Sequence, residues 1–253
     1  METRRYGWKP DVPDQRDHLY GAGVAAPVAL PSHVDLRPGC TPVKDQLAIG
    51  SCTSQAIAGG ALEFLEKKDG LPPTALSRLF LYYNERAMEG TIKSDAGAHI
   101  RDGIKSCATL GVCPEVDWAY NTSQFKIKPP VKAYKDALQH VVTSYQRILG
   151  IQQMKQCLAA GYPFVCGISV YESFESAAVA QTGIVPMPGP TERCLGGHAI
   201  LGVGFDDSVN RFIMRNSWGA GWGSGGYFFL PYNYLANITL ADDFWTVRAG
   251  KGL

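Results

Sequence analysis

The sequence predicts an α+β fold in which a helical half precedes a β-rich half. Periodic apolar stretches predict helices at about 52–66, 77–89, 98–110, 131–139 and 151–160. After Gly161 the chain changes to short aromatic and β-branched segments separated by Gly, Pro, Asn and Asp. These segments predict strands at 164–170, 198–205, 212–216, 227–230 and 244–247. Helices followed by strands are typical of α+β proteins, in which the two kinds of element are segregated.

Length and charge narrow the classes of function. With 253 residues, the chain can form one large domain or two halves that share a cleft. Its 24 basic and 23 acidic residues give a net charge of +1, which offers no reason to expect nucleic acid or an anionic membrane as a partner. The chain contains no apolar run long enough to span a membrane and no apolar core of a signal peptide at its start. We therefore expect a soluble monomer.

The first thirty residues differ in texture from the rest. Residues 1–31 contain four prolines and many Asp, Arg and Gly residues, with no sustained period of a helix or strand. This composition predicts an extended N-terminal arm that is ordered only where it docks on something. The predicted organisation is an arm over 1–30 and a domain over 31–253. That domain would have a helical subdomain at about 45–150 and a β-rich subdomain at about 151–253.

The chain has an odd number of cysteines. If one of the seven is a reactive thiol, the other six form three disulfides or remain as buried thiols, and the sequence leaves both open. Cys107 and Cys113 are closest together, but no His/Cys pair nearby completes a zinc site. We therefore expect neither a metal nor another cofactor. The cysteines are Cys40, Cys52, Cys107, Cys113, Cys157, Cys166 and Cys194.

Cys52 lies at the predicted first turn of the first helix, after Gly50 and Ser51. A thiolate at a helix N-terminus is stabilised by the helix dipole and by free backbone N–H groups, so its pKa falls. Ser51 is the predicted N-cap of this helix. The alternative is an ordinary cysteine buried in a helix, and position alone supports both interpretations evenly.

His198 and Asn216 supply the two groups that a reactive thiol needs. Two glycines precede His198 and an apolar strand follows it, which predicts a histidine at the exposed end of a core strand, facing a cleft. Asn216 ends the next predicted strand, where its amide can accept from the imidazole N–H and hold the ring. A turn asparagine is the alternative interpretation. Trp218 would cover this hydrogen bond and exclude water.

Four motifs in this order resemble those of the papain-like cysteine peptidases. They are PVKDQ at 42–46, GSC at 50–52, GHA at 197–199 and NSWGAGWG at 216–223. The resemblance extends from about residue 30 to about residue 247. It implies the papain-like fold, in which an active-site cleft separates two subdomains, and a cysteine endopeptidase that acts on polypeptides.

The resemblance also implies a role for each matching residue. Cys52 would be the nucleophile, and His198, oriented by Asn216, would exchange protons with it while a covalent acyl-enzyme forms and is hydrolysed. The side-chain amide of Gln46 and the backbone N–H of Cys52 would form the oxyanion hole. Trp218 would shield Asn216 and line the leaving-group side of the cleft.

Substrate contacts follow from the same resemblance. Gly97 and Ala98 stand where the family has a glycine strip whose backbone pairs with the peptide. Gly167, Ala199 and Asp243 would line the main specificity pocket, which receives the second residue before the cleaved bond. A carboxylate at the base of that pocket predicts a preference for a basic side chain.

The sequence departs from the family pattern near the nucleophile. Ile49 stands where the family usually has a cysteine, Thr53 where it usually has an aromatic residue, and no cysteine follows Cys194. Two usual disulfides therefore cannot form, and the framework need not be oxidised. This pattern fits a cytosolic or bacterial-type member.

The arm is short for a family pro-segment and lacks a long amphipathic helix. Its run GWKPDVPDQRD at 7–17 is predicted to lie across the cleft and block it, which would make the enzyme latent like a zymogen.

Three other functions were weighed against the peptidase. A catalytically silent binding module would be expected to lack Cys, His or Asn, and all three are present. Acyl transfer to an amine would use the same groups and differ only in the acceptor. The run GWGSGG at 221–226 matches a dinucleotide-binding pattern, but a strand rather than a helix follows it, so we reject that function.

Overall fold

A large antiparallel sheet forms one half of the molecule, and helices pack on both of its faces. The computed structural model describes residues 5–21, 29–72 and 74–253. Residues 1–4 and 22–28 of the predicted arm lie outside this range. Within it, the order of helices and strands confirms the α+β prediction.

The predicted helices are all present, and their ends agree with the prediction to within two residues. The first is continuous from α1 through a π-helical stretch over Ile57–Leu62 into α2. The short helices α7 and α8 were not predicted. The helices are α1 (Cys52–Ala56), α2 (Glu63–Lys68), α3 (Arg78–Met88), α4 (Ile100–Thr109), α5 (Val131–Ala137), α6 (Gly150–Ala159), α7 (Ala177–Thr182) and α8 (Tyr232–Ala236).

The five predicted strands are also present, four of them longer than predicted and two of these by five residues or more. The strands are β1 (Trp8–Lys9), β2 (His33–Asp35), β3 (Ala98–His99), β4 (Val141–Arg147), β5 (Phe164–Tyr171), β6 (Cys194–Asp206), β7 (Arg211–Arg215), β8 (Tyr227–Pro231) and β9 (Ala241–Lys251). The sheet has the order β4-β9-β5-β6-β7-β8, with β2 added to β6, and all its pairs are antiparallel.

The strands that sequence reasoning missed owe their existence to long-range pairing. β1 and β3 have two residues each and pair in parallel, Trp8 with Ala98 and Lys9 with His99. β4 pairs with β9, so a segment before residue 151 already belongs to the large sheet. The division into subdomains near residue 150 remains a prediction.

Small residues let the first helix approach the sheet closely. A Cβ at Gly60 would lie 3.1 Å from Leu201 Cδ2 on β6, and one at Gly59 would lie 3.0 Å from Arg78 Cδ on α3. These short distances leave no room for a larger side chain at either position. Because α1 packs on β6, the two elements that carry Cys52 and His198 are held together.

The sheet separates two apolar layers, which explains why its strands are apolar at successive positions. Val165, Leu201 and Val203 face the layer shared with α1 and the π-helical stretch. Cys166 and Ile200 face the other layer, which contains the aromatic residues around Phe174. Burial on both faces therefore fixes β5 and β6 at the centre of the molecule.

All seven cysteines are free thiols, so the structure contains none of the three disulfides that the sequence left open. The alternative of six buried thiols holds for four, since Cys40 is half-buried and Cys194 is exposed. Among the residues that the structure describes, no helix is long and apolar enough to cross a membrane. Nor does the described part of the chain gather three or more His, Cys, Asp or Glu side chains around a position for a metal ion.

Candidate active site

Cys52 is the first residue of α1 and is fully buried. The packing of α1 against β6 brings its thiol against the backbone of Ala199, the neighbour of His198. Ser51 is the N-cap residue by position, as predicted, but its hydroxyl does not cap the helix. Instead, its Oγ hydrogen-bonds with the hydroxyl of Tyr120 at 2.6 Å.

His198 and Asn216 form the predicted hydrogen bond, with 2.8 Å between His198 Nε2 and Asn216 Oδ1. The same Asn216 oxygen accepts from the backbone N–H of Ser217 at 2.8 Å, which fixes the amide so that its oxygen faces the ring. Trp218 stacks on His198 with ring centroids 5.0 Å apart and is buried. The indole therefore covers the imidazole–amide pair, as predicted.

One prediction about His198 is wrong. The histidine was expected at the exposed end of its strand, but β6 begins at Cys194, and the His198 side chain is completely buried. The glycines before it do not leave open space in front of the ring. A Cβ at Gly196 would lie 2.8 Å from Tyr6 Cβ, and one at Gly197 would lie 2.4 Å from the carbonyl oxygen of Trp8. The arm fills the space that the glycines provide.

Gln46 is buried and hydrogen-bonded at both ends of its amide. Its Oε1 accepts from the Ser217 hydroxyl at 2.7 Å, which orients the amide. Its Nε2 donates to two carbonyl oxygens, those of Ile49 and Arg5, each at 3.0 Å. The predicted oxyanion donor therefore already holds two carbonyl groups, and one of them, that of Arg5, belongs to the arm.

Burial raises the pKa of the Cys52 thiol to about 11, although contacts with the backbone of Ala199 and Gly7 lower it in part. A thiol with such a pKa is neutral at neutral pH, and the thiolate rather than the thiol is the nucleophile. The arm contributes to this burial because Gly7 packs directly on the nucleophile's loop. A Cβ at Gly7 would lie 1.7 Å from the Gly50 carbonyl oxygen.

The arm pairs with the predicted glycine strip. The backbone N–H of Ala98 donates to the carbonyl oxygen of Gly7 at 2.7 Å. Gly97 has a φ of 69°, a conformation that favours glycine, and a Cβ there would lie 2.0 Å from the same oxygen. Gly97 and Ala98 thus pair with an extended backbone, but that backbone is the chain's own arm at Gly7.

Trp8 fills the predicted specificity pocket. A Cβ at Gly167 would lie 1.8 Å from Trp8 Cε2, so the indole lies flat against bare backbone. The indole N–H donates to Asp243 Oδ2 at 3.0 Å, and Ala199 belongs to the same buried cluster as Trp8 and Cys52. Gly167, Ala199 and Asp243 are therefore brought together, as predicted.

Asp243 does not stand alone at the base of this pocket. Its Oδ2 also accepts from the backbone N–H of Asp11 at 2.7 Å, and its Oδ1 lies 3.3 Å from Arg147 Nη2. Burial, together with the neighbouring charge of Asp11, raises the pKa of Asp243 to about 7. Its backbone is in the left-handed region at φ 58°, which aspartate tolerates better than most residues.

Beyond the pocket, carboxylates of the arm meet two arginines. Asp17 accepts from Arg101 at 2.6 and 2.9 Å and from Arg147 at 3.2 Å. Asp11 accepts from the indole N–H of Trp245 at 3.0 Å and from the backbone N–H of Arg101 at 3.2 Å. Asp11 is buried, and burial raises the pKa of its carboxyl above its ordinary value.

Sequence reasoning missed several residues around the site. Gly197 and Arg147 belong to the pocket, and Tyr6, which precedes the run predicted to cross the cleft, packs against His198 and Trp218. Asp95 fixes the loop before the nucleophile, because its carboxylate accepts from the Gly50 N–H at 3.0 and 3.1 Å. The two glycines before His198 were a local sign that another segment packs closely against this strand, because Tyr6 and Trp8 lie where their side chains would be. For Arg147, no local signal exists.

Comparison with known proteins identifies the family of the chain. A family model described as the papain family cysteine protease matches residues 30–244. The crystal structure of xylellain, a cysteine protease from Xylella fastidiosa, is 42% identical, with a TM-score of 0.90 over 98% of both chains.

Two further proteins are similar to this chain over most of its length. A peptidase C1-like protein of Acanthamoeba polyphaga mimivirus is 40% identical over 97% of this chain and 87% of its own. Cysteine proteinase 2 of Zea mays is 27% identical over 81% of this chain, which spans 56% of the maize protein. The match to the family model covers most of the chain and includes Cys52, His198 and Asn216. The chain therefore belongs to the papain family of cysteine proteases.

Proposed function

We propose that this cysteine peptidase hydrolyses peptide bonds through Cys52, His198 and Asn216. The observation that carries the proposal is the buried His198–Asn216 hydrogen bond of 2.8 Å, covered by Trp218 and next to a cysteine at a helix N-terminus. An imidazole held in this way can take the thiol proton, and the helix N-terminus stabilises the thiolate that results.

The steps follow from the positions of these groups. The Cys52 thiolate attacks the peptide carbonyl carbon, and its oxygen becomes an oxyanion that accepts from Gln46 Nε2 and the Cys52 N–H. The protonated His198 gives its proton to the leaving amine as the peptide bond breaks, which leaves an acyl-enzyme. His198 then takes a proton from water, whose oxygen attacks the thioester and releases the acid. The thiol is regenerated.

We further propose that the arm keeps the enzyme latent. It occupies each part of the cleft that the reaction needs: Arg5 offers its carbonyl to Gln46, Gly7 packs by Cys52 and Trp8 fills the pocket. The ring of Tyr6 stands edge-on to His198 with centroids 6.1 Å apart. A substrate peptide therefore has no access while the arm is docked.

The direction of the arm explains why it would not be cleaved as a substrate. A substrate runs from the specificity pocket toward the leaving-group side, where Trp218 lies. The arm runs the opposite way, since Tyr6 contacts Trp218 and the later residue Trp8 fills the pocket. Its peptide groups therefore meet Cys52 in reversed polarity, and the leaving amine is not placed beside His198.

An epoxide-type thiol reagent tests both proposals on the full-length chain. We expect Cys52→Ala to abolish labelling at neutral pH at every site except the exposed Cys194, because the buried and half-buried thiols are not activated. We expect Trp8→Ala to label at least about tenfold faster than the unchanged chain, because loss of a buried indole weakens docking by a few kcal/mol.

The matched control is Val12→Ala, an arm residue whose side chain is exposed. It should label as slowly as the unchanged chain. Labelling outside Cys194 that persists in Cys52→Ala would remove Cys52 as the nucleophile. Equal rates for Trp8→Ala and the unchanged chain would remove the arm as an inhibitor.

A further inference from the structure

The pocket occupied by Trp8 has a shape that few side chains can use. Its floor is bare backbone on two adjacent strands, because Gly167 lies on β5 and Gly197 on β6. A Cβ at Gly167 would lie 1.8 Å from Trp8 Cε2, and one at Gly197 would lie 2.8 Å from Trp8 Cε3. Gly167 pairs with Ala199 and Gly197 pairs with Ser169, so the two glycines lie diagonally across the strand pair on one face of the sheet. They make a flat surface on which an aromatic ring lies face down.

One acceptor stands at the edge of this floor. Asp243 Oδ2 lies 3.0 Å from the indole nitrogen of Trp8, so the ring is held by its face and by its N–H. The Asp243 side chain is completely buried, which makes a hydrogen bond to its carboxylate stronger than one at the surface. A phenylalanine would cover the floor but leave this acceptor without a donor.

The charge of Asp243 is already compensated by the protein. Arg147 Nη2 lies 3.3 Å from Asp243 Oδ1, and its guanidinium is held over the Trp245 ring, 5.7 Å from its centroid. In the docked state Arg147 also faces Asp17 and Asp242. When the arm leaves, Asp17 goes with it, and the positive charge of Arg147 is shared by fewer carboxylates. An arginine side chain of a substrate would lose its hydration on entering the pocket. Because Arg147 already neutralises Asp243 and would repel a second positive charge, the Coulombic gain would be small.

We propose that this pocket selects tryptophan as the second residue before the cleaved bond, and that Trp8 of the arm imitates that residue. The proposal rests on the proposed function of the cleft, and it replaces the basic preference expected from Asp243 alone. Gly167 and Gly197 determine the flat shape, and Asp243 recognises the indole N–H.

Peptides that differ only at this residue test the selection on the full-length Trp8→Ala chain, whose pocket is vacated. We expect kcat/KM for Trp to exceed that for Phe about tenfold, the value of one hydrogen bond to a charged acceptor. Arg should be at least about tenfold slower than Trp. Adding Gly167→Ala should lower the rate for Trp more than tenfold and lower the ratio of the Trp rate to the Ala rate, since its methyl group occupies the floor on which the indole lies.

The control for that second change is Gly221→Ala, because a Cβ there meets nothing within 4 Å. It should leave the order of substrates unchanged. A preference for Arg over Trp, or an unchanged ratio of Trp to Ala after Gly167→Ala, overturns the proposal.

A binding measurement separates this proposal from the proposed function. Skatole, the tryptophan side chain as a free molecule, should bind the Trp8→Ala chain in a calorimetric titration. Binding should be lost on adding Gly167→Ala and kept on adding Gly221→Ala. If no peptide is turned over, the proposed function fails, while the skatole result still decides the pocket. Absence of binding, or binding that survives Gly167→Ala, overturns the selection.

Discussion

Gln46 shows how one side chain serves both the proposed reaction and its inhibition. Its amide is oriented by the Ser217 hydroxyl at 2.7 Å, and in the proposed reaction its Nε2 would donate to the oxyanion. In the docked state Nε2 donates instead to the Arg5 carbonyl, 3.0 Å away. A neutral carbonyl accepts more weakly than an oxyanion, so the same donor would bind the transition state better than it binds the arm.

Replacing this amide should affect the chemical step more than binding. In the Trp8→Ala chain we expect Gln46→Ala to lower kcat by a factor of about 10²–10³, the usual effect of removing one oxyanion donor, with KM little changed. Steady-state kinetics on one peptide would measure this. Gln181→Ala on the exposed face of α7 is the control and should change neither constant. An increase confined to KM would show that Gln46 only binds substrate.

At the scale of elements, the arm is held at two separated places. One is the pairing of β1 with β3 and the insertion of Trp8 in the pocket. The other is the contact with Arg147 on β4. The backbone N–H of Tyr20 donates to the Arg147 carbonyl at 2.8 Å, and the backbone N–H of Arg147 donates to the His18 carbonyl at 2.7 Å. Between them lie Asp11 and Asp17. Release of the arm therefore requires both β pairings and the intervening ion pairs to open.

The paired carboxyls Asp11 and Asp243 should make docking depend on pH. Burial in the docked state raises the pKa of both, that of Asp243 to about 7. Release of the arm returns both pKa values toward the ordinary value of about 4. At a pH between the ordinary and the raised pKa, the docked state therefore binds more protons than the released state. Its extra stability is fully present below the ordinary pKa and is lost as pH rises through the raised one.

We expect latency to weaken as pH rises from about 5 to about 8. The measurement is the ratio of labelling rates for Trp8→Ala and the unchanged chain, which cancels the pH dependence of the thiol itself. This ratio should fall with rising pH. In an Asp11→Asn chain, which keeps the side-chain acceptor but removes one charge, the fall should be smaller. A ratio that is flat, or that rises with pH, would contradict this role of the two carboxyls.

At the scale of the whole molecule, packing rather than covalent bridges holds the two layers together. All seven cysteines are free, and five of them are buried. The sheet is covered on both faces, and α1 is held by the close contact of Gly60 with Leu201. The sequence lacks the family's usual cysteines at position 49 and after Cys194, so it is packing that positions the nucleophile.

Because all cysteines are free thiols, we expect a reductant to leave the thermal stability of the protein unchanged. A native disulfide typically contributes about 2–5 kcal/mol, so its reduction would lower Tm by many degrees. We expect the Tm of this chain to change by less than about 1 °C when dithiothreitol is added. Alkylation after denaturation without reductant should modify seven cysteines in the mass spectrum. A drop in Tm, or fewer modified cysteines, would reveal a bridge.

The sequence by itself determined the fold class, the order of the main elements, and Cys52, His198, Asn216 and Gln46 as candidates. The role of Gln46 is implied by the family resemblance. The others follow from local signals: periodicity, glycines, and turn residues next to reactive groups. Only the tertiary structure decided that His198 is buried, that β1 pairs with β3, and that Arg147 compensates Asp243. Each of these depends on residues about 90 or more positions apart meeting in space, or on burial beneath a distant segment. Local patterns carry no information on such contacts. An acidic residue read alone therefore predicted a basic substrate, whereas its contacts with Trp8 and Arg147 are the basis of the proposed preference for an indole.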